Sequence, residues 1–188
     1  MQAFLISLST VAVAEMGDRT QLLSLMLAAR FRRPWPILAG VLCATIANHA
    51  IAGLIGQRLG HTLTPRILDA AVAISLIAMA LWALKPDTLD ETSAGATRSG
   101  AFLATLVTFF IAEIGDKTQL ATAALAAVYS NLLAVVAGTT TGMLLANAPV
   151  VFFGKAFSTR LPLKSIRYLA SALFLALGVY FLVHTARG

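Results

Sequence analysis

A nine-residue stretch occurs twice in the chain. The first copy is Ala14-Glu15-Met16-Gly17-Asp18-Arg19-Thr20-Gln21-Leu22, and the second is Ala112-Glu113-Ile114-Gly115-Asp116-Lys117-Thr118-Gln119-Leu120. Two carboxylates, a glycine, a cation, a hydroxyl and an amide recur in one order. Both copies lie inside apolar segments long enough to cross a bilayer, whose core needs about 20 apolar helical residues. Ionisable groups in such segments are costly and mark functional sites. This one feature narrows the fold sharply. A chain that carries acidic motifs through hydrocarbon must satisfy its own backbone as helix, and it must turn the charged groups towards each other.

Composition agrees. Of 188 residues, 59% are hydrophobic and 12% charged, with a mean hydropathy of +0.84. Soluble domains average about 25% charged residues. The chain reads as an all-α integral membrane protein, six helices with short loops and no room for a soluble domain. The net charge of +6 does not imply nucleic acid, because the bases sit near helix ends without interleaved aromatics. Cys43 is the single cysteine, so no internal disulfide and no Cys/His zinc pattern exists. The apolar run 4–14 followed by Ala12-Val13-Ala14 imitates a signal peptide, but no Lys or Arg precedes it, as such signals require.

Six spans are predicted, at 3–29, 37–55, 67–84, 101–128, 132–153 and 166–183. Residues 56–65 read as a polar loop, 129–131 as a tight turn, and 155–164 as a basic loop. The longest polar stretch, 85–100, reads as a linker between a first repeat (1–84) and a second (101–188). Trp82 reads as an interfacial anchor. The halves correspond beyond the motif. Glu15 and Glu113 are 98 residues apart, as are Gly40 and Gly138, and Gly56 and Gly154. Ala47-Asn48 matches Ala146-Asn147 with a shift of one. Such self-similarity signals duplication. Each half has three spans, an odd number, so the second half enters the membrane from the opposite side. Two inverted three-helix repeats are a common plan of secondary transporters, with the site at the repeat interface. Loops one, three and five carry nine Lys and Arg (Arg30, Arg32, Arg33, Lys85, Arg98, Lys155, Arg160, Lys164, Arg167) against three on the other side (Arg58, Arg66, Arg187). The bias places those loops and the linker in the cytoplasm and both termini outside.

Treated as continuous helix, the motif puts Glu15, Asp18 and Gln21 on one stripe, with Arg19 one turn from Glu15. Glu113, Asp116, Gln119 and Lys117 repeat this. Thr20 points elsewhere and bonds back to the Met16 carbonyl. Gly17 and Gly115 permit close helix approach, or local unwinding that frees carbonyls. Oxygen-rich sets of this kind suit hard dications such as Mn²⁺ and Ca²⁺. The expected metal ligands are Glu15, Asp18, Gln21, Glu113, Asp116 and Gln119, with Asn48 and Asn147 as further cavity ligands. Gly17, Arg19, Thr20, Gly115, Lys117 and Thr118 support the motif or balance its charge. Four carboxylates and two cations leave a formal charge of about −2, which suits a divalent ion. Four carboxylates in one dry site repel, so protons occupy some of them when no metal does. Metal and proton binding are then coupled, and antiport is the simplest outcome.

Plainer readings compete. A single motif of this kind is often a buried ion pair fixing helix packing; two at equivalent positions weigh against that. Asn48 and Asn147 serve equally as interhelical hydrogen-bond partners. His49 has no counterpart, Ala148 standing at its place, and reads as a cavity-facing or interfacial polar group, with a proton-shuttle role as the less favoured reading. His61 and His184 carry no signal. Asp69 reads as a first-turn carboxylate, and the acidic run 87–91 as solvated linker.

The doubled Glu-x-Gly-Asp-[Lys/Arg]-Thr stretch resembles the small cation/proton antiporters that include MneA-type bacterial manganese exporters and the Golgi and chloroplast manganese/calcium transporters. The resemblance covers the whole chain. It implies that Glu15, Asp18, Glu113 and Asp116 are the core transport residues, that the cargo is Mn²⁺ or Ca²⁺, and that no prosthetic group is needed. The absence of the eukaryotic amino-terminal extension implies a bacterial inner-membrane protein. The leading expectation is a Mn²⁺ exporter exchanging metal for protons, with protons, metal and lipid as partners, no nucleic acid, and room for a homo-oligomer. A Ca²⁺/H⁺ antiporter and a passive divalent channel are the alternatives. An intramembrane hydrolase using Asp18 and Asp116 as a dyad leaves the repeated Glu and Lys/Arg without a purpose, so the chain reads as no enzyme.

Overall fold

The computed structural model describes residues 1–85, 100–154 and 163–187. Eight helices follow in order: α1 (Gln2–Glu15), α2 (Arg19–Phe31), α3 (Pro34–Thr62), α4 (Pro65–Ala83), α5 (Ala101–Glu113), α6 (Lys117–Val128), α7 (Leu132–Phe153) and α8 (Leu163–Arg187). No strand occurs among the described residues. The linker residues 86–99, with the acidic run, and residues 155–162 lie outside the described residues.

Among the described residues, four helices are long and apolar enough to cross a membrane: α3, α4, α7 and the Arg167–Thr185 part of α8. The two motif segments are different. The stripe geometry assumed continuous helix, and of the two roles expected for the glycines the local unwinding is the one found: each segment is broken into two short helices, α1/α2 and α5/α6. The cause is local. Gly17 and Gly115 take φ of 80° and 74°, the left-handed region that glycine enters without a Cβ penalty. Met16 and Ile114 before them, and Asp18 and Asp116 after them, are extended.

A second expectation also fails. Residues 56–65 are not a loop, since α3 continues to Thr62 and only Leu63 and Thr64 separate it from α4. Gly56 and Gly60 sit against the Ala123 and Ala127 carbonyls of α6, so packing holds this polar stretch helical. Pro65 then opens α4 in the first turn, where its missing N–H costs nothing. The turn at 129–131 is as expected, and Asn131 Oδ1 caps α7 by accepting from the Ala134 N–H at 2.9 Å.

The helices pack reciprocally. A Cβ on Gly40 of α3 would lie 2.8 Å from the Phe102 carbonyl oxygen of α5 and 2.7 Å from Thr105 Cβ. One on Gly138 of α7 would meet the Phe4 carbonyl and Ser7 of α1. Phe4 and Ser7 precede Phe102 and Thr105 by the same 98 residues that separate the two glycines. Each half therefore lays its opening helix on the first long helix of the other half, and small residues let the backbones touch. Val11, Leu23, Ile37, Val41, Phe109 and Met143 fill one core; Leu76, Met79, Ala121, Ala124 and Phe174 fill another. Ile74, Leu81, Ile111, Leu133 and Phe153 point outwards, which suits a lipid surroundings and not water.

Candidate functional site

The carboxylates at both breaks are deeply buried, while Ile114 and Gly115 of the second break are exposed. Glu15 and Glu113 end α1 and α5, and Asp18 and Asp116 stand just before α2 and α6; all four are at most 2% exposed. The break moves each motif off the helical stripe predicted for it, and the contacts change accordingly.

Each cation pairs with the aspartate of the other motif. Lys117 pairs with Asp18, and Arg19 Nη2 reaches Asp116 Oδ1 at 3.1 Å while donating to the Ala112 carbonyl at 2.7 Å. The expected Arg19–Glu15 neighbourhood required a continuous helix. With the helix broken at Gly17, the first residue of α2 faces the other half. Charge balance is thus exchanged between the motifs. The exchange is uneven, because the Lys117 side chain is 4% exposed and that of Arg19 34%.

The threonines do not turn away. Thr118 Oγ1 donates to Glu113 Oε2 at 2.9 Å, and Thr20 donates to Glu15 Oε1. The proposed bond to the Met16 carbonyl is replaced by this one, since Met16 is extended. The glutamines are likewise reassigned. Gln21 Oε1 accepts from the Gly17 N–H at 2.9 Å and Gln119 Oε1 from the Gly115 N–H at 2.7 Å. These amides close the break over the residue in left-handed conformation, so their oxygens are already engaged. Gln21 also donates to the Ala146 carbonyl at 2.9 Å, tying α2 to α7.

The asparagines differ. Asn147 Nδ2 reaches Glu15 Oε1 at 3.2 Å, and its Oδ1 accepts from Ser24 Oγ at 2.7 Å. Asn48 Nδ2 donates to the Phe110 carbonyl at 3.1 Å. Beside the second motif a crevice of about 410 Å³ is lined by Asn48, Phe110, Ile114 and Gln119. Around the first motif, Ser24, Asn147 and Glu15 form a buried hydrogen-bonded chain. Ser24 was not singled out in the sequence, although Thr122 stands 98 residues later and both are fully buried. That spacing was the signal.

Four further residues have partners that the sequence did not give. His49 is fully buried rather than interfacial and shares a 2.9 Å hydrogen bond with Thr139 of α7. Trp82 is partly exposed and also has the Lys117 ammonium 5.8 Å from its ring centroid. Asp69 and His184 meet at 2.8 Å and join α4 to α8.

Glu15 Oε2 and Glu113 Oε1, one oxygen from each half, are buried and have no hydrogen-bond partner among the described residues. Among those residues no three His, Cys, Asp or Glu side chains converge as metal ligands. The arrangement is closed on itself, with aspartates held by cations and glutamates half satisfied by hydroxyls.

Comparison with known proteins gives one family. The family described as "Divalent cation/proton antiporter GDT1" matches residues 3–91 and again 101–188, one match in each half. A Vibrio cholerae protein named "Putative manganese exporter" is 49% identical over 180 residues, covering 95% of this chain and 90% of that protein. A GDT1-like protein of Synechocystis is 29% identical over 194 residues, covering 93% of each. A chloroplastic GDT1-like protein of Oryza sativa subsp. japonica is 30% identical, covering 90% of this chain and 58% of its own length. No solved structure matches. A chain that meets one family's pattern in both halves, around two buried acidic helix breaks, belongs to the GDT1 family of divalent cation/proton antiporters.

Proposed function

We propose that the chain exports Mn²⁺ from the cytoplasm in exchange for protons, as two inverted three-helix repeats with Glu15, Asp18, Glu113 and Asp116 as the metal-holding carboxylates. The observation that carries this is the pair of buried, unpartnered oxygens, Glu15 Oε2 and Glu113 Oε1. A buried carboxylate oxygen without a partner is expensive, and a cation or a proton satisfies it. One such oxygen per half supports a cargo site between the halves. The aspartates complete the set once their cations move aside. Oxygen donors select hard dications, and the Vibrio relative's name favours Mn²⁺ over Ca²⁺.

Exchange follows from charge. The bare site holds two cations against four carboxylates, and hydrocarbon tolerates neither an excess nor a deficit of charge. Metal entry therefore expels protons, and protons returning expel metal. The break supplies the point of bending, because α2 and α6 begin there as helices separate from α1 and α5. Arg19, Lys117, Thr20, Thr118, Gln21 and Gln119 hold the carboxylates in place between cargoes. In this reading the linker 85–100 is cytoplasmic and both termini are outside, in a bacterial inner membrane.

The test is metal flux into liposomes holding the purified protein. In an antiporter, vesicles acidic inside accumulate external Mn²⁺ as protons leave, vesicles alkaline inside do not, and Asp116→Asn abolishes the uptake. Flux indifferent to the pH gradient means a channel. Accumulation of Ca²⁺ in preference to Mn²⁺ means the calcium form of the same machine.

A further inference from the structure

The two motif cations are chemically different and differently placed. Arg19 is one-third exposed and anchored twice, on Asp116 and on the Ala112 carbonyl. Lys117 is sealed in, with Asp18 on one side and the Trp82 ring on the other. A guanidinium makes a fork of fixed bonds, whereas an ammonium is a compact point charge on a four-carbon stem that swings readily. An ammonium bound to Asp18 occupies the place on that carboxylate which a metal ion would take. Displaced, it still needs a partner, because a bare charge in this interior is not tolerated. The Trp82 face is already 5.8 Å away, inside the distance at which an indole attracts a cation. Trp82 comes from α4, outside either motif, so neither motif explains its position.

We propose that Lys117 is a tethered stand-in for the transported cation, holding Asp18 while the site is empty, and that the Trp82 ring is the seat its ammonium takes when metal holds Asp18. The inference rests on the transport reading above and adds a specific moving part to it. It also gives the halves different duties: Arg19 keeps its hold on the Ala112 carbonyl when Asp116 turns to the metal, while Lys117 alternates between Asp18 and Trp82. Without its seat, the displaced ammonium competes harder for Asp18, and metal binds less well.

The experiment is Mn²⁺ flux in proteoliposomes for wild type, Trp82→Leu and Trp82→Phe. Trp82→Leu should raise KM for Mn²⁺ about three- to tenfold with a smaller change in maximal rate, and Trp82→Phe, which keeps an aromatic face, should restore most of it. A purely structural Trp82 would lower the amount of protein and the maximal rate and leave KM alone. A folded Trp82→Leu with KM within about twofold of wild type, on the scale of that same interaction, overturns the inference while the transport reading stands. Absence of wild-type flux removes both. If Trp82→Leu does not fold, Trp35→Phe carries the test, since Trp82 is then the sole tryptophan. Mn²⁺ should shift its emission saturably. Adding Asp18→Asn should give the shifted emission without metal. Emission indifferent to Mn²⁺ in protein that transports it overturns the inference as well.

Discussion

Lys117 of one motif copy is the counter-ion of Asp18 in the other. The two are remote in sequence and belong to different halves, so neither half can neutralise its own aspartate. Breaking such a buried pair from one side leaves a naked charge and costs about 3–5 kcal/mol, whereas removing both partners is far milder. Lys117→Met should therefore lower the melting temperature of the purified protein markedly. Asp18→Asn combined with Lys117→Met should recover more than half of that loss yet remain inactive in flux. A double variant as unstable as the single one would show that the pair is not the local determinant of stability.

The glycines of the breaks make a sharper test of geometry. A Cβ on Gly115 would touch nothing within 4 Å, yet φ is +74°. The cost of Gly115→Ala is thus backbone strain alone, about 1–2 kcal/mol. Gly115→Asn should cost less, because asparagine tolerates the left-handed region. The order Gly, Asn, Ala in thermal stability and in transport rate is the expected outcome. Equal behaviour of Asn and Ala would mean that φ at this position does not control the site.

Much of this was legible in the sequence. The duplicated motif, the six apolar segments and the 98-residue register between Gly40 and Gly138 are patterns of residue type, and helix packing follows residue type closely. The contacts within the motif were not legible. Placing Arg19 beside Glu15 assumed helical periodicity across Gly17, and one residue at positive φ rotates everything after it. Gln21 was counted as a ligand from the same stripe, and the break turns its oxygen onto the Gly17 N–H. Ser24 was missed, and Trp82 was read only as an interfacial anchor, because tertiary contacts between halves select them, although the Ser24/Thr122 spacing was there to be read. Residues 56–62 looked like loop by polarity, and only their glycines' fit against the α6 carbonyls keeps them helical.

The two asparagines separate by what they hold. Asn147 donates to Glu15 and accepts from Ser24, while the hydrogen bond of Asn48 goes to a backbone carbonyl. Asn147→Ala removes one of the two donors to Glu15 Oε1 and strands the Ser24 hydroxyl, and unmade bonds to buried groups cost about 1–3 kcal/mol. It should reduce Mn²⁺ transport about tenfold or more on that scale, with Asn48→Ala less affected and Ser24→Ala between them. The measurement is initial flux normalised to protein in the vesicle. A larger loss in Asn48→Ala would mean that the crevice beside the second motif, and not the chain around the first, controls the metal.

The inversion of the halves can be settled with cysteine labelling. Cys43 is the one native cysteine, so Cys43→Ser gives a clean background. Arg32 follows the first motif helix pair and Ser130 follows the second, 98 residues later. In a direct duplication the two positions would lie on the same side of the membrane. In an inverted one they lie on opposite sides, and the excess of Lys and Arg near Arg32 assigns that side to the cytoplasm. In intact cells, a membrane-impermeant maleimide should modify Ser130→Cys and Thr64→Cys and spare Arg32→Cys, which reacts only after the membrane is opened. Labelling of Arg32→Cys and Ser130→Cys from the same side would remove the inverted repeat. The two carboxylate sets would then enter from one face, and the exchange of Lys117 and Arg19 between halves would need another origin.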